Sequence, residues 1–150
     1  MNDPLPALLA IINTITIPPE AGGPAISYKA RIGWLDNNDR TAAGELTPQF
    51  TISSMASSSL PHDSNGLVRK YRYVYQINVW NQTCGAYEPA ANLNWKMVNQ
   101  LLSVLTTNRK SADANTRYFE VINEGVDMTD GTVSPPVRRM QILVAAHGFR

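Results

Sequence analysis

The chain has 150 residues and a mass of 16.5 kDa, a length that suits one domain able to bury about 68–70% of its unfolded surface without help from a disulfide or a metal. It is 43% hydrophobic and only 17% charged, which excludes a highly charged disordered chain and leaves Asn, Ser, Thr and Gln to fill the surface. Thirteen Lys and Arg against twelve Asp and Glu give a net charge of +1, too little to capture a nucleic-acid backbone globally, and the single cysteine, Cys84, excludes an intrachain disulfide or a cysteine-rich zinc cluster.

Asp3-Pro4 supplies a helix cap and a first-turn proline, and Leu5, Leu8, Leu9 and Ile12 recur at helical spacing, so a short amphipathic helix is predicted there. The preceding Met1-Asn2-Asp3 carries no Lys or Arg, so this stretch reads as a helix and not as a signal peptide. No segment approaches the ~18 consecutive apolar residues of a membrane span. Pro18-Pro19 ends the helix region, and the residues from Glu20 to Pro24 form a loop by composition. Ile26 to Ile32 alternates apolar and polar residues, which predicts a first strand. Asp36 to Glu45 is polar, Phe50-Thr51-Ile52 is a short strand, and the low-complexity run from Ser53 to Gly66 reads as a mobile loop or hairpin tip.

Arg69 to Trp80 is the strongest local signal: Tyr71, Tyr73, Tyr75, Ile77 and Val79 would line one face of a long strand. Gly85 breaks the pattern and Glu88-Pro89 offers a helix start. Ala90, Leu93, Met97, Leu101, Val104 and Leu105 then mark the main helix through Thr106, with Trp95, Val98 and Leu102 widening its apolar stripe. Tyr118 to Ile122 is a strand. Asp130-Gly131 and Pro135-Pro136 punctuate the connection to a last strand from Val137 to Ala146, on which Met140, Ile142 and Val144 share a face. The predicted fold class is α+β: a two-layer sandwich of a mixed or antiparallel sheet with a long β-hairpin, packed by one main helix and a short N-terminal helix.

The residues offer no evident reaction centre. His62 and His147 lie in no metal-ligand spacing, and nothing in sequence positions a base for Cys84, so no catalytic, cofactor-binding or metal residues are expected and the chain reads as a non-enzyme. Asp127 and Asp130 sit close in a turn-like segment, where Asp usually caps its local backbone. Asn81-Gln82-Thr83 matches a glycosylation sequon but reads as a chance tripeptide. The mixture of Arg69, Lys70, Tyr71, Arg72, Tyr73 and Tyr75 admits a single-stranded nucleic-acid platform, with rings stacking bases and cations following phosphates. Ordinary cross-strand packing of tyrosines is the competing and favoured reading.

From about Phe50 to Ala146 the pattern resembles the tail terminator and head-to-tail joining (neck) proteins of long-tailed bacteriophages. The resemblance rests on a loop-bearing hairpin, the strand ending Ile77-Asn78-Val79-Trp80, a Gly-containing turn, the helix from Ala90 to Leu105, and two strands with Arg138 entering the last. It implies one tail-terminator-like domain over residues 1–150, with a flexible loop region at about 36–68. It also implies a structural virion protein, assembled in the host cytoplasm, whose homo-oligomeric ring, usually six-fold, terminates the tail tube. Its implied partners are itself, the tail tube protein and the head-tail connector or neck proteins, with DNA passing through the lumen without sequence-specific binding and no membrane. On this reading the interface residues are Arg138, Arg139, Met55, Leu60, Leu67 and Trp80. The hairpin around Met55 to Leu67 should reach a neighbouring ring or subunit, and deletion of Ser57 to Asn65 should leave folding intact.

Overall fold

A computed structural model describes residues 3–18, 26–28, 30–40, 44, 46–61, 65, 69–82, 90–110, 116–130, 132 and 137–149. Its elements in chain order are helix α1 (Leu5–Ile12), strands β1 (Thr16–Ile17), β2 (Ile26–Ser27), β3 (Ala30–Ile32), β4 (Gln49–Pro61) and β5 (Arg69–Gln82), helix α2 (Ala90–Thr107), and strands β6 (Thr116–Asp127) and β7 (Val137–Phe149). β1 and β2 form a small antiparallel pair. The other five strands make one mixed sheet in the order β3-β4-β5-β7-β6, antiparallel throughout except for β3, which runs parallel to β4.

Period-two alternation along β5 decides the layering. Tyr75, Ile77 and Val79 point to one face, level with Ile142, Val144 and Met140 of β7 and with Ile52 and Phe50 of β4. α2 covers that face with Leu93, Met97, Leu101 and Leu105, and α1 adds Leu8 and Ile12, so that one apolar core lies between sheet and helices. The α+β sandwich predicted from the pattern is the fold observed, including the long hairpin β4–β5 and the short N-terminal helix. Asp3 fixes that helix: its Oδ1 accepts the Leu5 backbone N–H at 2.9 Å and the Tyr75 hydroxyl at 2.8 Å. At the other end Asn13 Oδ1 accepts the Ala30 N–H at 2.9 Å, tying α1 to β3. The C-terminus of α2 is closed by Asn108, whose backbone N–H and side-chain Nδ2 both donate to the Val104 carbonyl.

Three expectations are corrected. The strand expected over Ile26 to Ile32 is two strands in two ladders, because alternation reports which faces are buried and not which neighbour is paired. The serine-rich run from Ser53 to Gly66, expected as a mobile loop or hairpin tip, is strand as far as Pro61, one arm of the hairpin: Ser57, Ser58 and Ser59 pair with Tyr73, Arg72 and Tyr71, so the strong β-former opposite overrides the weak propensity of serine. The flexible region expected over 36–68 therefore contains the whole of β4, and deleting Ser57 to Asn65 would remove the β4 residues paired with Arg69 to Tyr73, leaving that part of β5 with β7 alone. Trp95, assigned to the apolar stripe of α2, is 61% exposed, whereas Val98 is buried. No helix among the described residues is long and apolar enough to cross a membrane.

Candidate functional site

The face of the sheet turned away from the helices carries the chemistry that the core does not use. Here Trp80 of β5 stands opposite Arg139 of β7, and Thr51 of β4 stands opposite Asn78. β3 ends at Gly33, whose φ of 104° is in the region that favours glycine and whose N–H donates to the Ile52 carbonyl at 2.8 Å. That turn delivers Trp34 to the open face, where its ring meets Trp80 edge-to-face at 5.0 Å. Trp80 is 5% exposed and donates its indole N–H to Thr51 Oγ1 at 2.7 Å, while Trp34 is 57% exposed.

The Arg139 guanidinium lies 4.6 Å from the Trp34 ring centre and 5.1 Å from that of Trp80, and its Nε donates to Asn78 Oδ1 at 2.9 Å. Cation–π contacts of this kind contribute about 0.5–2 kcal/mol, more as water is excluded. Burial lowers the Arg139 pKa from the usual arginine value, yet a guanidinium keeps its charge at neutral pH. Gln76 Nε2 donates to the same Asn78 oxygen at 3.1 Å, and the fully buried Asn78 Nδ2 has no partner among the described residues. No described carboxylate pairs with Arg139. Arg31, on the same face, is by contrast neutralised by Asp36 at 3.0 Å and by Asp39, with Asp36 held in place by its N–H to Gln49 Oε1 at 3.0 Å.

The residues singled out in the sequence are divided by this arrangement. Arg139 and Trp80 come together, with Trp80 acting as a buried support and not as a displayed surface. Arg138 points to the opposite face, level with Asn81, and its charge acts on Asp127. Met55 sits at a β-bulge in β4, 54% exposed, and Leu60 lies in β4 opposite Lys70, both far along the hairpin from Trp80. Leu67, His62 and Cys84 lie outside the described residues. Trp34 was missed; the Gly33-Trp34 step at the end of an alternating run was the available signal.

Other candidates resolve into local structure. Tyr75 is 1% exposed with its hydroxyl on Asp3, and Tyr71 and Tyr73 stack on each other at 6.5 Å, so the tyrosine face has no open three-ring platform for bases. Asp127 and Asp130 each accept the N–H and hydroxyl of the threonine two residues on, which lowers the pKa of both carboxylates. Asn81 is buried and donates to Asn94 Oδ1 at 2.8 Å, so its amide nitrogen faces α2. His147 is buried against Tyr118, ring centres 4.5 Å apart, with Nε2 2.7 Å from Glu120 Oε2 and Nδ1 unpartnered among the described residues. Among those residues no three of His, Cys, Asp and Glu gather where a metal could be held. Compared with models of known protein families and with curated proteins, the chain matches none.

Proposed function

We propose that this chain is a structural subunit of the neck or tail end of a long-tailed bacteriophage, whose ring terminates the tail tube and joins it to the head connector. The observation that carries this reading is the β4–β5 hairpin on a two-layer sandwich, in the element order that the resemblance requires. Beyond Tyr75, the last β5 residue fully inside the core, the two strands stay paired from Ala56 with Val74 to Pro61 with Arg69. β7 flanks β5 over this stretch, with Lys70 to Val74 paired to Phe149 to Ala145, so contact with a neighbour would be made through the outer, exposed side of β4.

In the ring, the open-face patch is the subunit contact: Trp34 supplies an exposed apolar wall and Arg139 a cation that no described carboxylate pairs. Aromatic residues and arginine are the types that dominate the energetics of protein interfaces. The role calls for shape and self-association, and a net charge of only +1 suits a lumen that lets DNA pass without gripping it. The test is the solution mass of the purified chain by light scattering after size exclusion, over a range of concentrations and at two salt levels. A closed-ring mass near a small integer multiple of 16.5 kDa, six-fold being expected, supports the reading. A strict monomer across the whole range overturns self-assembly, and salt-dependent binding of an oligonucleotide by that monomer would replace it with nucleic-acid recognition.

A further inference from the structure

The two edges of the five-stranded sheet are protected very differently. β6 is blunted along its length: three register shifts interrupt its pairing with β7, the Phe119 N–H is taken by the Arg109 carbonyl at 2.8 Å, and Glu120, Glu124 and Asp127 spread charge along it. Bulges, covering backbone and charged side chains are the usual means by which an edge strand avoids pairing with another chain. At the other edge β3 pairs only with Phe50 to Ile52. From Ser53 to Pro61 no described strand lies on the side of β4 away from β5; its residues Ser54 to Ser59 are exposed, and it bears no charge anywhere from Gln49 to Pro61. Among the described residues its blunting features are the bulge at Met55 and the terminal Pro61.

We infer that this uncovered stretch of β4 pairs antiparallel with the same stretch of a second copy of the chain, about a two-fold axis close to Ser57. Three features favour a second copy as the occupant. An isologous pairing is antiparallel by symmetry, the direction in which β4 already pairs with β5. An uncharged strand meets itself without placing like charges opposite one another, whereas a self-paired β6 would bring its own charges together. Small serine and alanine side chains from Ala56 to Ser59 let the backbones approach around the axis, with Ser57 opposite itself and Ser58 opposite Ala56 of the partner copy. The contact goes beyond the proposed ring, whose head-to-tail contacts are heterologous. Combined with a ring it gives a back-to-back double ring, and alone it gives a dimer.

Single cysteines introduced on a Cys84→Ser background test the pairing. Under mild oxidation Ser57→Cys should cross-link to dimers and no further, while Glu124→Cys on the opposite edge should not. A second arm uses charge: Ser57→Lys and Ser57→Glu should each weaken self-association about tenfold or more, and an equimolar mixture of the two should restore it. Ser57 is exposed, so circular dichroism should show each variant folded. Failure of the mixture to recover association, or cross-linking only between a β4 cysteine and a β6 cysteine, overturns the inference. The ring reading fails separately: a dimer that cross-links through Ser57→Cys but never forms a larger ring keeps the two-fold contact and removes the ring, and a ring indifferent to Ser57 does the reverse.

Discussion

The two faces of the central sheet are made by alternate residues of the same strands, yet they follow different rules. On the helix side Tyr75, Ile77, Val79, Ile142 and Val144 meet apolar side chains of α1 and α2, and almost every contact is replaceable in kind. On the open side Trp80, Asn78, Thr51 and Arg139 are packed nearly as closely, but by a chain of directed contacts: indole to hydroxyl, amide to guanidinium, guanidinium to indole. Among the described residues, no helix covers this layer. The apolar core therefore lies on one face, and the proposed subunit contact on the other.

The sharpest way to break that division is to damage the helix-side core. Leu101 is fully buried in α2, and Leu101→Ala should cost about 2–5 kcal/mol, the loss of buried methyl groups together with the cavity left behind. Urea denaturation of the variant should show the midpoint falling with the slope unchanged. A loss below about 1 kcal/mol would mean that the helix layer is not the principal source of stability.

A smaller effect is expected where a polar pair intrudes on the core. Asn81 Nδ2 donates to Asn94 Oδ1 at 2.8 Å, and Asn81 Oδ1 is buried with no partner among the described residues. Asn94→Ala should destabilise by about 1–3 kcal/mol because it strands the Asn81 amide. Replacing both residues with leucine should cost much less than the single change, since no buried polar group is then orphaned. A double-mutant cycle in urea measures the difference.

How far this division was legible in the sequence follows from what periodicity reports. Tyr71 to Val79 and Met140 to Val144 gave the core face, and Ala90 to Leu105 gave the helix that covers it, because burial against one partner layer imprints a regular period. The extent of β4 was not legible: Ser53 to Ser59 has little strand propensity of its own, and its conformation is imposed by β5. The open-face patch was half legible. Arg139 and Trp80 drew attention as isolated residues, but their meeting depends on a β5–β7 register set by residues distant in sequence, and Trp34 joins them only through the turn at Gly33. Long-range register leaves no local signature.

Tyr75 links the core to the N-terminal helix and makes that link depend on pH. Burial, followed by the hydrogen bond to Asp3, raises its pKa above the ordinary value of 10.0. The folded state therefore holds this proton more tightly than the unfolded chain does. The contribution is fully present below pH 10 and is lost as the pH rises above it, where the unfolded chain ionises first. Tyr75→Phe should cost about 0.5–1.5 kcal/mol at neutral pH by removing the Asp3 hydrogen bond and should flatten the alkaline decline. Unfolding midpoints between pH 8 and pH 11 would expose both effects, and an unchanged alkaline limb would count against the Tyr75 assignment.

The open face should respond in the opposite sense. Trp34→Ala removes a largely exposed ring, so stability should move by no more than about 0.5 kcal/mol. Self-association, measured by light scattering on the same samples, should fall well beyond that if the exposed indole and the guanidinium it shields form the proposed contact surface. A variant that loses stability but assembles normally would make Trp34 a packing residue and return the patch to the interior.

The smallest expected effect lies in the turn between β6 and β7. Asp127 accepts the Thr129 hydroxyl and N–H, and these bonds, with the charge of Arg138 as a lesser cause, hold its pKa below the ordinary 3.8. A depressed carboxylate contributes stability above its unfolded value, and that contribution disappears as the pH falls through the folded one. Because Asp127 is largely exposed, solvent limits the effect to a few tenths of a kcal/mol. Asp127→Asn keeps an acceptor for Thr129 but removes the charge. It should leave stability at pH 7 almost unchanged and reduce the slope of stability with pH below about 4. Because the Leu101 core does not titrate, the same variant combined with Leu101→Ala should show the two losses adding, the independence expected of a core and a surface turn that share no contacts.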